Sequence, residues 1–202
     1  MVSQPLVLVV KDRQKYPTVA ALLAAARAAP GGLTDASSGD GSPQHVAGLL
    51  FETRTRTKLL HIHDKVGARA INDTIGVQVD AMFARMPDAV PHVPSGRLHA
   101  LGVMGSRRSP VMPQVPTMVE SGLADLNLAA WMALLAPAQT PRAIVDQLNR
   151  AVEAAFDNDL GAKLAETGTE VDTSTPDELQ QLIAHDTKLQ AELVKAAGLA
   201  PQ

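Results

Sequence analysis

The chain contains no cysteine, which excludes disulfides, thiol nucleophiles and cysteine-ligated metals and leaves the redox compartment unmarked. Aromatic residues make up only 2% of it: one tyrosine, one tryptophan and three phenylalanines. So few rings leave little to stack on bases, and a formal net charge of −3 supplies no general pull toward a phosphate backbone. Nucleic acid is therefore not an expected partner. The longest apolar run, Leu128 to Ala138, is too short to span a bilayer. After Met1 come Val-Ser-Gln-Pro, a five-residue apolar run and then charges, with no basic leader, long apolar segment or small-residue cleavage site. As written, the chain is expected to lack an export signal and to remain cytoplasmic.

What is present is a globular pattern. With 202 residues and 46% hydrophobic content the chain can build one good core or two small ones, and that core must be aliphatic. Leu6 to Val10 is a continuous apolar run suited to a buried strand, and Thr18 caps an alanine- and leucine-rich helix stopped by Pro30-Gly31-Gly32. Val46, Leu49, Leu50 and Thr53 recur at helical spacing and give the next helix a core-facing side. Leu59–His63 reads as a strand, Gly67–Ile75 as a helix and Val79–Phe83 as a strand. Pro87 opens a helix that Pro91 and Pro94 keep short, and Leu98–Met104 is a further strand. A connector punctuated by Pro110, Pro113 and Pro116 ends in a helical turn to Ser121, with Gly122 as its stop. Leu126 to Leu135 is almost wholly apolar. Thr140-Pro141 starts a helix with Ile144, Val145, Leu148, Val152 and Phe156 on its buried side. Thr175-Pro176-Asp177-Glu178 has the capping-box order, and the helix it opens carries Leu179, Leu182, Ile183 and Leu189 before Gly198. The pattern divides into an α/β part with a mostly parallel sheet, ending near Asn127, and a helix-dominated remainder.

One stretch carries the functional reading: Ala36-Ser37-Ser38-Gly39-Asp40-Gly41-Ser42-Pro43-Gln44-His45. It follows a short apolar-led segment and enters a helix whose start is marked by Ser42 as N-cap and Pro43 at the first helical position. Gly39 and Gly41 allow a tight turn and close approach of backbone to a ligand, and the helix N-terminus favours an anion. Ser37, Ser38 and Ser42 add hydroxyl donors. The loop holds no lysine or arginine and lacks the Gly-Lys-Ser/Thr ending of a P-loop, so a carboxylate suits it better than a nucleotide. The plainer alternative is an ordinary capped loop of an α/β protein.

Other residues invite chemistry less strongly. His61 and His63 fall on one strand face with Asp64 beside them, a conceivable metal spacing, but no third and fourth ligands can be named from the sequence and no metal is expected. His45, on the first turn of the loop's helix, reads as a locally packed or hydrogen-bonded side chain. Ala36-Ser37-Ser38-Gly39 does not supply the Gly-x-Ser-x-Gly of a serine hydrolase, and no pair of acids is singled out by spacing. No catalytic constellation is present.

A series of segments resembles one known family. These are Thr18-Val19-Ala20, Ser37 to His45, Gln78-Val79-Asp80, Pro87, Gly96-Arg97-Leu98, Arg108-Ser109-Pro110, Val115-Pro116-Thr117, Leu134-Leu135-Ala136-Pro137 and Thr140-Pro141. In order and spacing the chain is similar to the Bug family, the extracytoplasmic solute receptors of tripartite tricarboxylate transporters, from about Pro5 to Gly198. The resemblance implies a periplasmic-binding-protein-like, Venus-flytrap α/β fold that grips a ligand carboxylate between two strand-to-helix loops, one from each lobe. It implies a non-enzymatic receptor with a small organic acid as ligand, membrane transporter subunits as partners, a periplasmic location and no cofactor. The ligand-binding residues carried over are Ser37, Ser38, Gly39, Asp40, Gly41 and Ser42.

The chain also departs from the family pattern. A Tyr-Gly before the serines is Asp35-Ala36 here, and a Pro-Tyr-Lys-Gly stretch is His63-Asp64-Lys65-Val66. Where some relatives place an acid that meets a ligand amino group, this chain has Ala84-Arg85. An arginine at the C-terminal end of a strand favours a second ligand carboxylate, so Arg85 joins the candidate site, against the plainer reading of a solvated surface arginine. Set against the family, residues 12–127 are expected to be the second lobe with its ligand loop. Residues 1–11 and 128–202 are expected to be the hinge strand and closing part of a first lobe whose leading segment is missing. An N-terminally truncated relative of this kind should expose the Ile144, Leu148, Val152, Phe156 stripe and self-associate. The alternative is a decayed member that binds no physiological ligand and persists, at most, as an interaction fragment.

Overall fold

The five residues from Leu6 to Val10 have no solvent exposure at all, because the strand they form is covered on both faces. In the computed structural model, which describes residues 1–64, 66–157 and 159–196, this strand is β1 (Val2–Val10). It is followed by α1 (Val19–Ala28), β2 (Leu33–Ser37), α2 (Pro43–Thr55), β3 (Leu59–His63), α3 (Gly67–Ile75), β4 (Ala81–Arg85), α4 (Met86–Ala89) and β5 (His99–Met104). The sheet order is β3-β2-β4-β1-β5. β2 is parallel to both β3 and β4, whereas β1 is antiparallel to β4 and to β5. Four strands therefore point one way and β1 points back between them. Leu6, Leu8 and Val10 face α1 and α2 together with Leu22, Phe51 and Phe83. Val7 and Val9 face α3 and α4 together with Ile71, Met82 and Met86. A strand buried on two sides reads as an unbroken apolar run rather than an alternating one.

Beyond Leu126 the chain forms β6 (Ala129–Met132), α5 (Arg142–Phe156), α6 (Asp159–Glu166), β7 (Glu170–Val171) and α7 (Pro176–Ala196). The leading half of β1 belongs to this part: Val2 to Pro5 pair antiparallel with Met132 to Ala129, and Val2 and Ser3 also pair with Val171 and Glu170. One nine-residue strand thus runs through two sheet segments. The end of α7 returns to the main core, where Leu193 is buried and Leu189 packs on the α1–α2 side. Among the described residues no helix is long and apolar enough to cross a membrane.

Local signals hold well. Thr18 Oγ1 accepts from Ala21 N at 3.2 Å, and Ser42 caps α2 with Pro43 in its first turn. Thr175 and Glu178 cap α7 reciprocally, Thr175 N donating to Glu178 Oε2 at 2.8 Å and Glu178 N to Thr175 Oγ1 at 3.2 Å. Four expectations need correction. The strand expected at Val79–Phe83 begins two residues later, because Asp80 leaves the ladder to accept from Thr34 N and Tyr16 Oη at 3.1 and 2.8 Å. The buried face of α2 is Val46, Ala47, Leu50 and Phe51, while Thr53 is exposed and bonds back to Leu49 O. Helix α5 begins at Arg142 with Pro141 as its uncapped N-cap, and it buries none of its residues. The short α6 and β7 have no counterpart in the sequence reading, and Gly198 lies outside the described residues.

Candidate functional site

Because β2, β3 and β4 are parallel, their C-terminal ends share one edge of the sheet. Ser37, His63 and Arg85 close the three strands there. This is the edge at which open α/β sheets bind ligands. The loop from Ser38 to Ser42 rises from it and turns into α2. Gly39 and Gly41 sit at φ of 130° and 72°, left-handed values that a side chain would strain. The Ser42 N–H closes the turn on Gly39 O at 3.1 Å, and Ser42 Oγ accepts from His45 N at 3.3 Å.

The serines have different surroundings. Ser37 is fully buried, and its hydroxyl is occupied inside the loop, accepting from Gly39 N at 3.0 Å and lying 3.1 Å from Gly39 O and 2.6 Å from His61 Nε2. Ser38 is half-buried and donates to Gln44 Oε1 at 3.1 Å. A Cβ built on Gly67, the first residue of α3, would lie 3.8 Å from Ser38 Cβ, 3.7 Å from Gln44 Nε2 and 3.9 Å from Arg85 Nη2. Side chains from the loop, α2 and the end of β4 thus surround one point over the start of α3. The N-cap of α3, Val66, provides no side-chain acceptor to its first N–H groups. Arg85 is steadied by Asp88, which accepts from Nε at 2.9 Å.

The other side of the loop is lined by histidines. His45 and His61 stack with ring centroids 3.9 Å apart and planes 4° from parallel, and Gly41 N donates to His45 Nδ1 at 3.1 Å. Burial pushes the His61 imidazole down to about 4, helped by its neighbour His45, and burial lowers His45 as well. Asp40 turns its half-exposed carboxylate toward these rings. Beneath them, Asp35 is buried with Oδ1 unpartnered, and burial raises its carboxyl well above the ordinary range. Asp64, which the sequence sets beside His63, faces away and pairs with Arg69 Nε at 3.2 Å.

The sequence matches the tripartite tricarboxylate transporter family receptor over residues 1–199. The chain belongs to that family. It is 34% identical over 196 residues to Protein BugT of Bordetella pertussis, covering 96% of this chain and 60% of BugT. It is 32% identical over 192 residues to a protein encoded between tcbD and tcbE in Pseudomonas sp. strain P51, covering 94% of this chain and 57% of that protein. The chain therefore spans somewhat more than half the length of these relatives. Its fold superposes with a TM-score of 0.90 on an R. palustris protein solved with adipate, at 29% identity and covering 100% of this chain and 68% of that one. The periplasmic binding protein BugD matches with a TM-score of 0.86 at 28% identity, over 100% of this chain and 68% of BugD. A malate-bound MatC from Rhodopseudomonas palustris matches with a TM-score of 0.83 at 27% identity, over 96% of this chain and 67% of MatC. The family is one of periplasmic solute-binding receptors with small carboxylates among its ligands, and not a class of enzymes.

Within this receptor frame, the structure brings Ser38 and Arg85 to one place, turns Ser37 inward, gives Ser42 a capping role and sends Asp40 to the histidines. The structure adds Gln44 and Gly67 to the surroundings of Ser38 and Arg85. Gln44 stands in the matched Pro43-Gln44-His45 segment, and Gly67 opens a helix at the strand edge, but neither residue type alone signals a ligand contact.

Proposed function

We propose that this chain is the carboxylate-gripping part of a periplasmic solute-binding receptor for a small organic diacid, working with a tripartite tricarboxylate-type transporter. The observation that carries the reading is the meeting of Ser38, Gln44 and Arg85 over the start of α3 at the C-terminal edge of three parallel strands. A hydroxyl, free N–H groups at a helix N-terminus and a guanidinium together suit two oxygens of one carboxylate or one oxygen each of two. Adipate and malate in the R. palustris proteins support that ligand class. On this reading Ser38, Ser42, the glycine backbone of the loop and Arg85 meet the ligand, and Ser37 and Asp40 shape the loop around it. Residues 12–127 form the second lobe, which carries the ligand loop, and residues 1–11 with 128–202 form the hinge strand and the C-terminal part of the first lobe.

Thermal unfolding against a panel of mono-, di- and tricarboxylates tests this, since a ligand stabilises only the state it binds. A diacid is expected to raise the midpoint. Ser38→Ala should reduce the shift for every acid, through loss of a hydrogen bond contributing about 1.5–3 kcal/mol to a charged ligand. Arg85→Ala should reduce it selectively for diacids. An unchanged diacid shift in both variants sinks the site. A second reading, that the chain by itself binds no carboxylate, draws on the open apolar groove of about 740 Å³ between Leu134, Leu135, Leu148, Val152, Leu179 and Ile183. A chain whose midpoint is indifferent to every acid would favour it.

A further inference from the structure

The histidine side of the loop is a different kind of place from the Ser38–Arg85 side. Three imidazole Nδ1 atoms surround the Asp40 carboxylate: His61 at 3.4 Å and His45 at 3.9 Å from Oδ1, and His63 at 3.5 Å from Oδ2. We propose that Asp40, His61 and His63, with His45 as a fourth donor, form a binding site for a divalent transition-metal cation such as zinc, nickel or copper.

The first argument is distance and donor type. Metal–donor bonds of about 2.1 Å place neighbouring donors about 3.0–3.4 Å apart around an ion, close to the spacings from Asp40 to His61 and His63. Imidazole nitrogen with a carboxylate suits zinc, nickel and copper and suits magnesium or calcium poorly. One candidate ligand atom from each of Asp40, His45 and His61 already lies within 4.8 Å of the other two.

The second argument is where the protons are. Gly41 N donates to His45 Nδ1, so that nitrogen presents a lone pair and has no hydrogen to offer Asp40. His61 Nε2 lies 2.6 Å from Ser37 Oγ, a hydroxyl that also lies within 3.1 Å of Gly39 O. When Ser37 donates to Gly39 O, His61 donates from Nε2 and its Nδ1 faces Asp40 bare. A metal-binding histidine is oriented by an acceptor that takes the N–H of its back nitrogen, and Ser37 Oγ can be that acceptor for His61 Nε2. In that tautomer a cation resolves the opposition between the His61 lone pair and the Asp40 carboxylate, whereas in the other tautomer His61 Nδ1–H donates to Asp40.

The stack of His45 on His61 sets the order of ligands. Two rings 3.9 Å apart and nearly parallel cannot aim both lone pairs at one ion, so His45 joins only by swinging away and releasing Gly41 N. Asp40 and His61 need no such exchange, while His63, whose ring lies 6.4 Å from that of His61, closes on the ion by rotating its half-exposed side chain about Asp40, its one side-chain polar partner among the described residues. Asp40 and His63 are each about half exposed, at 49% and 51%, so an ion reaches the site from solvent and keeps positions for water.

The test uses tag-free protein stripped with a chelator, in a buffer without carboxylates, so that its outcome is independent of the carboxylate reading. Calorimetric titration with Zn²⁺ should give one saturable site per chain, and Co²⁺ should develop visible absorption of the same stoichiometry. Asp40→Asn and His63→Ala should each weaken Zn²⁺ binding about tenfold or more, and the His61→Ala/His63→Ala double variant should abolish it. Control substitutions His92→Ala, His99→Ala and His185→Ala should leave it unchanged. Asp40 and His63 lie outside the core, so these single variants should melt with the metal-free wild type and report ligation rather than folding. No saturable binding, binding that survives the double variant, or loss in the three controls would overturn the proposal.

Discussion

Residues 6–126 and the segment after them are built under different physical rules. In the first, β1 is sealed between two helical layers and each face of the sheet has its own apolar cluster. In the second, Leu193 is the only buried large hydrophobic among the described residues, and it is buried by reaching back to the first part. Helix α5 leaves Ile144 and Leu148 at 47% and 43% exposure. What joins α5 to α7 is largely polar: Arg142 bonds Asp177 at 2.9 Å, and Asn149 donates to Ser174 O at 2.9 Å. Exposed pairs of that kind contribute little, about 0–1 kcal/mol each. The contrast teaches that regular secondary structure and a stable core are separate achievements. Amphipathic sequences build α5 and α7, with a capping box at the start of α7 alone, but among the described residues no surface buries the apolar side of α5.

The contrast makes testable statements. Phe83 is fully buried and packs against Phe51 with ring centroids 5.4 Å apart. Phe83→Ala should therefore lose about 3–5 kcal/mol, while Leu148→Ala should lose less than about 1 kcal/mol. Equilibrium urea denaturation measures both, and similar losses would mean that α5 is buried in solution.

A smaller effect comes from Asp80, which ties the start of β4 to Thr34, Tyr16 and Lys15. Burial alone would raise its carboxyl, but the bonds from Thr34, Tyr16 and Lys15 outweigh that and hold it below the usual range. Its folded value being depressed, the folded state binds fewer protons than the unfolded one as pH falls through the ordinary carboxylate range. The contribution is present above that range and lost below it. Asp80→Ala should cost about 1–3 kcal/mol at neutral pH, and the gap to wild type should narrow below about pH 4. A gap that stays constant to strong acid would contradict this.

The smallest effect on stability accompanies a clear effect on assembly. If the groove beside α5 drives self-association, Leu148→Gln with Ile144→Gln should lower the sedimentation coefficient at high concentration while shifting the melting midpoint by only a few degrees. A wild-type chain that sediments as one compact monomer at every concentration would remove the premise.

What the order of residues determined by itself is local. Thr18, Ser42 with Pro43, and Thr175 with Glu178 mark three helix starts, because a cap is a contract between residues three positions apart and needs no distant partner. The run Leu6 to Val10 announced a strand covered on both sides, and Ser37 to Ser42 a strand-to-helix turn, for similar reasons of pattern. Tertiary structure decided the rest. Asp80 left its strand for partners at Thr34 and Tyr16. β1 proved to serve two sheet segments, through pairings with residues as far away as Val171. Ser37 and Ser38 are adjacent in sequence, yet strand alternation sends one hydroxyl inward to His61 and leaves the other beside Gly67 and Arg85. Asp40 and His45 supply the partners for His61 and His63 that no spacing along the chain revealed. These contacts exist only because parallel pairing of β2, β3 and β4 lines up strand ends that lie far apart in sequence, and such pairing depends on the whole sheet rather than on neighbouring residues.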